Sequence, residues 1–83
     1  MPKHDVETAK WLGFVRRVIR SASKRVADAD EIELGMLIAI RADLDAAIAA
    51  AVKGQRERGV TWAGIAAATG TTRQAAHKRW GRS

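Results

Sequence analysis

The feature that most constrains the fold of this chain is residues 61–80, where two short helical patterns flank a glycine. Thr61 is suited to cap the first helix, because its hydroxyl can accept a hydrogen bond from a backbone N–H of the first turn. Apolar and small side chains then recur at the three- and four-residue spacing of one helix face: Trp62, Ile65, Ala66 and Thr69. Gly70 follows, and glycine readily adopts the left-handed backbone that ends many helices. The pattern predicts a helix that begins after Thr61 and ends at Gly70.

A second short helix is predicted for residues 73–80, with Thr72 as its cap. Two short helices around a tight glycine turn have the spacing of a helix-turn-helix, which places its second helix in the major groove of DNA. We therefore interpret residues 72–80 as a recognition helix.

The outward side of this second helix carries groups that can read base edges. At about 100° per residue, Ala76 and Trp80 share one side of the helix. Gln74 and Lys78 lie on the opposite side. Glutamine can bind adenine through two hydrogen bonds, and arginine or lysine can bind guanine. Thr72, at the helix N-terminus, suits a phosphate contact.

The positive charge is concentrated at the same end of the chain. The net charge is +6, yet residues 1–52 contain eight basic and eight acidic side chains. Residues 53–83 contain seven basic side chains and a single acid, Glu57. Such asymmetry is typical of a polyanion-binding surface. A basic membrane-binding helix is the competing interpretation, but the apolar face here is short and consists largely of alanine.

Two longer helices are predicted before this end. The first runs from about Asp5 to about Val26 and the second from about Glu31 to Arg58, where Gly59 ends it. The sequence thus predicts an all-α protein of about four helices in one domain, 1–83. Residues 5–58 are expected to form an antiparallel helical hairpin that braces the helix-turn-helix of 59–83 or serves as a dimerisation arm.

Both longer helices carry more apolar surface than one neighbour can cover. Phe14 projects nearly opposite the stripe that contains Leu12. The apolar arc of the second helix is wide and includes a heptad-like run: Leu37, Ile40, Leu44, Ala47 and Ala51. We therefore predict a homodimer through helices 1 and 2. The three Trp residues and Phe14 are expected to anchor a core of otherwise small residues.

Several classes of function are disfavoured by the sequence. There is no cysteine, and His4 and His77 are far apart, so neither a metal nor a cofactor is expected. No nucleophile–base pair or phosphate-binding glycine loop is evident, and Asp43 and Asp45 point to different sides of their helix, so an enzyme is not expected. Without a long apolar run or a signal peptide, we expect a cytoplasmic protein, nucleoid-associated when bound to DNA, with no membrane or small-molecule partner.

The segment GVTWAGIAAATGTTRQAAHKRW, residues 59–80, resembles the compact helix-turn-helix of small actinobacterial and actinophage DNA-binding proteins. Its broader relatives are sigma-factor region 4 and repressor-type helix-turn-helix units. The resemblance implies binding to a specific duplex sequence, with these residues facing DNA: Thr72, Arg73, Gln74, His77 and Lys78. The chain departs from the pattern at Thr69 and Thr71, where apolar residues are usual, and at Gly64, where a glutamate would complete a capping box.

The sequence therefore predicts a protein that binds specific double-stranded DNA sequences, as a transcriptional regulator of phage or plasmid type. The predicted DNA-binding residues are Thr61, Thr72, Arg73, Gln74, His77, Lys78, Arg79 and Arg82. Two alternatives remain open at this point. The apolar long helix could dock a partner subunit or RNA polymerase, or the basic end could bind DNA architecturally without sequence preference.

Overall fold

The computed structural model describes residues 5–81, and these form four α-helices without a β-strand. The helices are α1 (Val6–Ala27), α2 (Glu31–Glu57), α3 (Trp62–Thr69) and α4 (Arg73–Trp80). The predicted all-α class is confirmed, and each helix begins and ends within a residue or so of its predicted position. The chain divides into two compact units, Met1–Ile40 (unit 1) and Arg41–Ser83 (unit 2), with the boundary inside α2.

Side-chain caps define both helix starts in unit 1. The Asp5 carboxylate accepts hydrogen bonds from the backbone N–H and the hydroxyl of Thr8, at 3.0 and 2.7 Å. At the start of α2, the Asp30 carboxylate accepts from the N–H of Ile32 at 3.0 Å. The Glu33 carboxylate in turn accepts from the N–H of Asp30 at 3.3 Å. The Asp30–Glu33 pair therefore forms a reciprocal capping box at the start of α2.

Unit 1 lacks a buried core among its described residues. No residue of α1 is buried, and the single buried residue of α2, Val52, belongs to unit 2. Trp11 and Phe14 remain 62% and 53% exposed, so the prediction that they anchor a core is wrong. The antiparallel packing of α1 along α2 stays a prediction.

Unit 2 contains the core of the described structure. Its buried side chains are Val52, Ile65, Ala66 and Ala76, and three partly buried side chains pack around them: Val60, Trp62 and Trp80. Ala76 is fully buried, at 0% exposure, where any larger side chain would separate α4 from its neighbours. Two of the three predicted tryptophan anchors thus border the core, but small residues fill its centre.

Glycines end two of the helices as predicted. Gly59 (φ 95°) follows α2, and the N–H of Val60 donates to the carbonyl of Gln55 at 3.0 Å. Gly70 (φ 72°) ends α3 in the same left-handed conformation, which lacks a steric penalty only for glycine. Thr69 differs from its predicted place on the buried face. It is exposed, and its hydroxyl donates to the carbonyl of Ile65 at 2.8 Å.

Candidate nucleic-acid interface

The buried Ala76 fixes which side of α4 faces solvent. Gln74 and Lys78 are each two residues from Ala76, which is about 200° around the helix. Both are exposed, as is Arg73 in the first turn. The outward amide and ammonium groups are therefore free to approach a groove, as the angular count predicts.

Threonine hydroxyls cap both short helices. The Thr61 hydroxyl accepts from the N–H of Gly64 at 3.0 Å, and the Thr72 hydroxyl accepts from the N–H of Ala75 at 3.0 Å. Each oxygen is thus used by the cap, whereas each hydroxyl hydrogen can still be donated. Both threonines are exposed, so a phosphate oxygen could accept that hydrogen at either helix start.

His77 is exposed but also contacts the core border. Its ring meets the Trp62 ring edge-on, with the centroids 5.2 Å apart and the planes at 80°. The helical spacing predicts that His77 lies beside the outward residues Gln74 and Lys78. It does not predict the contact with Trp62. A groove of about 310 Å³ lies beside this contact. It is lined by Trp62, which packs against the core, and by three exposed residues: Arg73, Gln74 and His77.

Arg56 is a residue of this surface that the sequence analysis missed. Its guanidinium carbon lies 4.8 Å from the centroid of the Trp62 ring, and its Nη1 donates to the carbonyl of Val60 at 3.0 Å. These contacts hold the cation beside Thr61 and Arg73, in a second groove. The sequence shows that Arg56 belongs to the excess of basic residues after position 52. It does not show that Arg56 lies on this surface. Its place depends on the glycine turn that brings Trp62 back toward the end of α2.

Arg79 contacts the Trp80 ring and shares a groove with one other predicted contact, His77. Its guanidinium carbon is 5.3 Å from the centroid of the Trp80 ring. It lines a groove together with Asp45 and Ile48 of α2, on the side of α4 that faces the core. The structure therefore does not bring Arg79 together with Gln74 and Lys78. Arg82, the last predicted contact, lies outside the described residues.

The described residues offer little other chemistry. Residues 5–81 contain no group of three or more His, Asp or Glu side chains that could hold a metal ion. No helix in the described part of the chain is long and apolar enough to cross a membrane. The surface built by α3, α4 and the end of α2 is thus distinguished by its cations, its threonine caps and Trp62.

Comparisons with protein families, with curated proteins and with solved structures gave no match to this chain. The assignment of a function therefore depends on the surface itself.

Proposed function

We propose that this chain binds double-stranded DNA in a sequence-specific manner, with α3 and α4 as a helix-turn-helix and α4 in the major groove. The observation that carries the proposal is the rotation of α4. Its alanine side is buried at Ala76, and its Gln74 and Lys78 side is exposed. Glutamine and lysine in that position have the hydrogen-bonding geometry to distinguish base pairs.

The charges around α4 support the same proposal. Arg56 and Arg73 line one groove beside the cap residue Thr61. Cations beside a recognition helix neutralise phosphates, which supplies affinity without sequence information and orients the helix on the duplex. Base contacts from α4 and phosphate contacts from the adjoining groove would thus have separate roles.

A single helix of eight residues reads only a few base pairs, so a useful regulator needs two of them. We propose that the chain acts as a homodimer through α1 and α2, which presents two copies of α4 to a symmetric site. Occupation of such a site near a promoter would regulate transcription. The exposed apolar side chains of α1 and α2 support an association of this kind.

The test is selection from a randomised duplex library at two salt concentrations. A sequence-specific dimer enriches a two-fold symmetric motif at both. Binding without enrichment, lost steeply as salt rises, would instead indicate architectural DNA binding. No binding at either salt concentration would contradict the proposal and favour a protein-interaction module.

A further inference from the structure

A groove in unit 2 is bordered by the second half of α2, by Trp62 of α3 and by the end of α4. Its volume is about 570 Å³, which falls within the roughly 300–1,000 Å³ that is common for small-molecule sites. Small apolar side chains of α2 line one part of it: Ala49, Ala50 and Val52. Neither Gln74 nor Lys78 lines it, so this groove is separate from the outward side of α4.

The charged side chains that line the groove are all cations. They are Lys53, Arg56 and Arg79, and none of the described residues that line the groove is acidic. All three cations are exposed, so an anion can reach them from solvent. A bound anion offsets the mutual repulsion of like charges around one groove. The charges therefore favour an anionic ligand.

Both tryptophans of unit 2 also line this groove. The guanidinium carbon of Arg56 is 4.8 Å from the centroid of the Trp62 ring. That of Arg79 is 5.3 Å from the centroid of the Trp80 ring. Both rings are only partly buried, so each keeps surface that a ligand can contact. Because indole and guanidinium groups both stack on flat aromatic rings, the groove offers stacking groups and cations side by side.

We propose that this groove binds a small organic anion that carries a flat aromatic ring. The ring contacts the tryptophans and the alanines of the groove, and the anionic group pairs with its cations. An anion without a ring leaves the apolar part of the groove uncovered, and a neutral ring leaves the cations unpaired. Aromatic carboxylates and nucleoside monophosphates are the two sources of this chemistry.

This proposal goes beyond the proposed binding of DNA and does not depend on it, because it needs neither a duplex nor the reading of bases. The sequence does not predict a small-molecule ligand, since the residues of the groove come from three helices. The turns at Gly59 and Gly70 bring these helices together.

The test is an NMR titration of the isotope-labelled full chain in the absence of DNA. It follows the indole N–H signals of the three tryptophans. Naphthoate and adenosine monophosphate serve as the aromatic anions. The signals of Trp62 and Trp80 should shift and saturate, with a dissociation constant at or below about 1 mM for at least one probe. Trp11 lies in unit 1, outside the groove, and its signal should not move. Shifts that do not saturate, or equal shifts of all three signals, would overturn the proposal.

Probes that carry only half of this chemistry are the controls. Acetate and inorganic phosphate lack the ring, and naphthalenemethanol and adenosine lack the charge. Each should bind at least about 10-fold more weakly than the matching aromatic anion. A ring-free anion that binds as tightly would show a plain anion site, and a neutral ring that binds as tightly would show a plain apolar site. Either result would overturn the proposal. Tighter binding of naphthoate would support an aromatic acid as the ligand, and tighter binding of adenosine monophosphate would support a nucleotide.

An added carboxylate tests the place of binding. Ala50→Glu puts a negative charge into the groove and should raise the dissociation constant about 10-fold at about 0.15 M salt. Ala46→Glu adds the same charge one turn earlier on the same side of α2, at a residue that does not line the groove. Its effect should stay below about 2-fold. Equal effects of the two variants would overturn the assignment of the ligand to this groove.

A second pair of variants removes a charge instead of adding one. Lys53→Gln should raise the dissociation constant about 3- to 5-fold, because it takes one cation from the groove. Arg58→Gln removes the same charge from an exposed residue of unit 2 that does not line the groove, and should have little effect. Ala50 and Lys53 both lie outside the core of unit 2. The ligand-free signals of Trp62 and Trp80 check that every variant is folded. Unchanged affinity of Lys53→Gln would contradict the role of the cations.

Discussion

The Trp62 ring contacts two other side chains of unit 2, Arg56 and His77. Arg56 lies over the ring at 4.8 Å, and His77 meets it edge-on at 5.2 Å. A guanidinium held over an indole loses less conformational freedom when it binds a phosphate than one that is free in solvent. At the residue scale, the surface beside α4 is therefore partly ordered before any ligand arrives.

We predict that Arg56→Gln weakens binding to all duplexes by a similar factor and lowers the slope of log affinity against log salt by about one. The reason is that Arg56 supplies a phosphate contact without reading bases. Affinity is measured by fluorescence anisotropy over a salt series, with Arg41→Gln as a control at another exposed arginine of α2. A change in base preference with an unaltered slope would show that Arg56 contacts base edges.

Two glycines of unit 2 should respond in opposite ways to alanine. At Gly81, an added Cβ would collide with the carbonyl oxygen of His77, which accepts the Gly81 N–H at 2.6 Å. We expect Gly81→Ala to destabilise unit 2 by about 1–3 kcal/mol. At Gly54, a Cβ has no atom within 4 Å outside its own helix, so Gly54→Ala should stabilise by about 0.5–1 kcal/mol. Urea unfolding of both variants measures the change in the free energy of unfolding. A change of the same sign in the two variants would contradict the packing described.

At the element scale, local chemistry explains why so much of the helix pattern is predictable. Threonine caps start α3 and α4, and glycines in the left-handed conformation end α2 and α3. These signals act over three or four residues and can be identified in the sequence. The exposure of Thr69 and the contact of Arg56 with Trp62 could not be predicted in this way, because they depend on how separate helices meet.

The capping box of α2 should make the start of this helix sensitive to acid. Hydrogen bonds with the Glu33 side chain and from the Ile32 N–H lower the pKa of Asp30 below its ordinary value of 3.8. A lowered pKa means that the ionised carboxylate stabilises the folded form. This stabilisation is fully present above about pH 3.8 and is lost as the pH falls through the lowered pKa.

The measurement is an NMR titration that follows the amide of Ile32 in the wild type and in Asp30→Asn. The wild-type amide should shift as Asp30 takes up its proton, at a pH below 3.8. The asparagine variant should lack that transition. A wild-type midpoint above 3.8 would contradict the capping geometry.

At the scale of the whole molecule, the chain combines a unit with a core and a unit without one among its described residues. Small residues at the centre of unit 2, above all Ala76, allow its short helices to approach closely. In unit 1 most of the large apolar side chains of α1 stay exposed, Trp11 among them. The sequence predicts that these faces need cover, because their apolar arcs are wide. The sequence does not show which partner covers them, since an apolar helix face such as the one around Leu44 can pack against more than one kind of partner.

The central claim is that α4 reads bases through its outward side, and Gln74→Ala tests it most directly. The measurement is the ratio of affinities for the duplex enriched from the library and for a scrambled duplex of the same length. We expect the variant to lose about 1–3 kcal/mol of this discrimination while its affinity for the scrambled duplex stays close to that of the wild type. Gln55→Ala, at an exposed glutamine of α2, should change neither value. An unchanged ratio, or an equal loss on both duplexes, would contradict the claim that α4 reads the sequence.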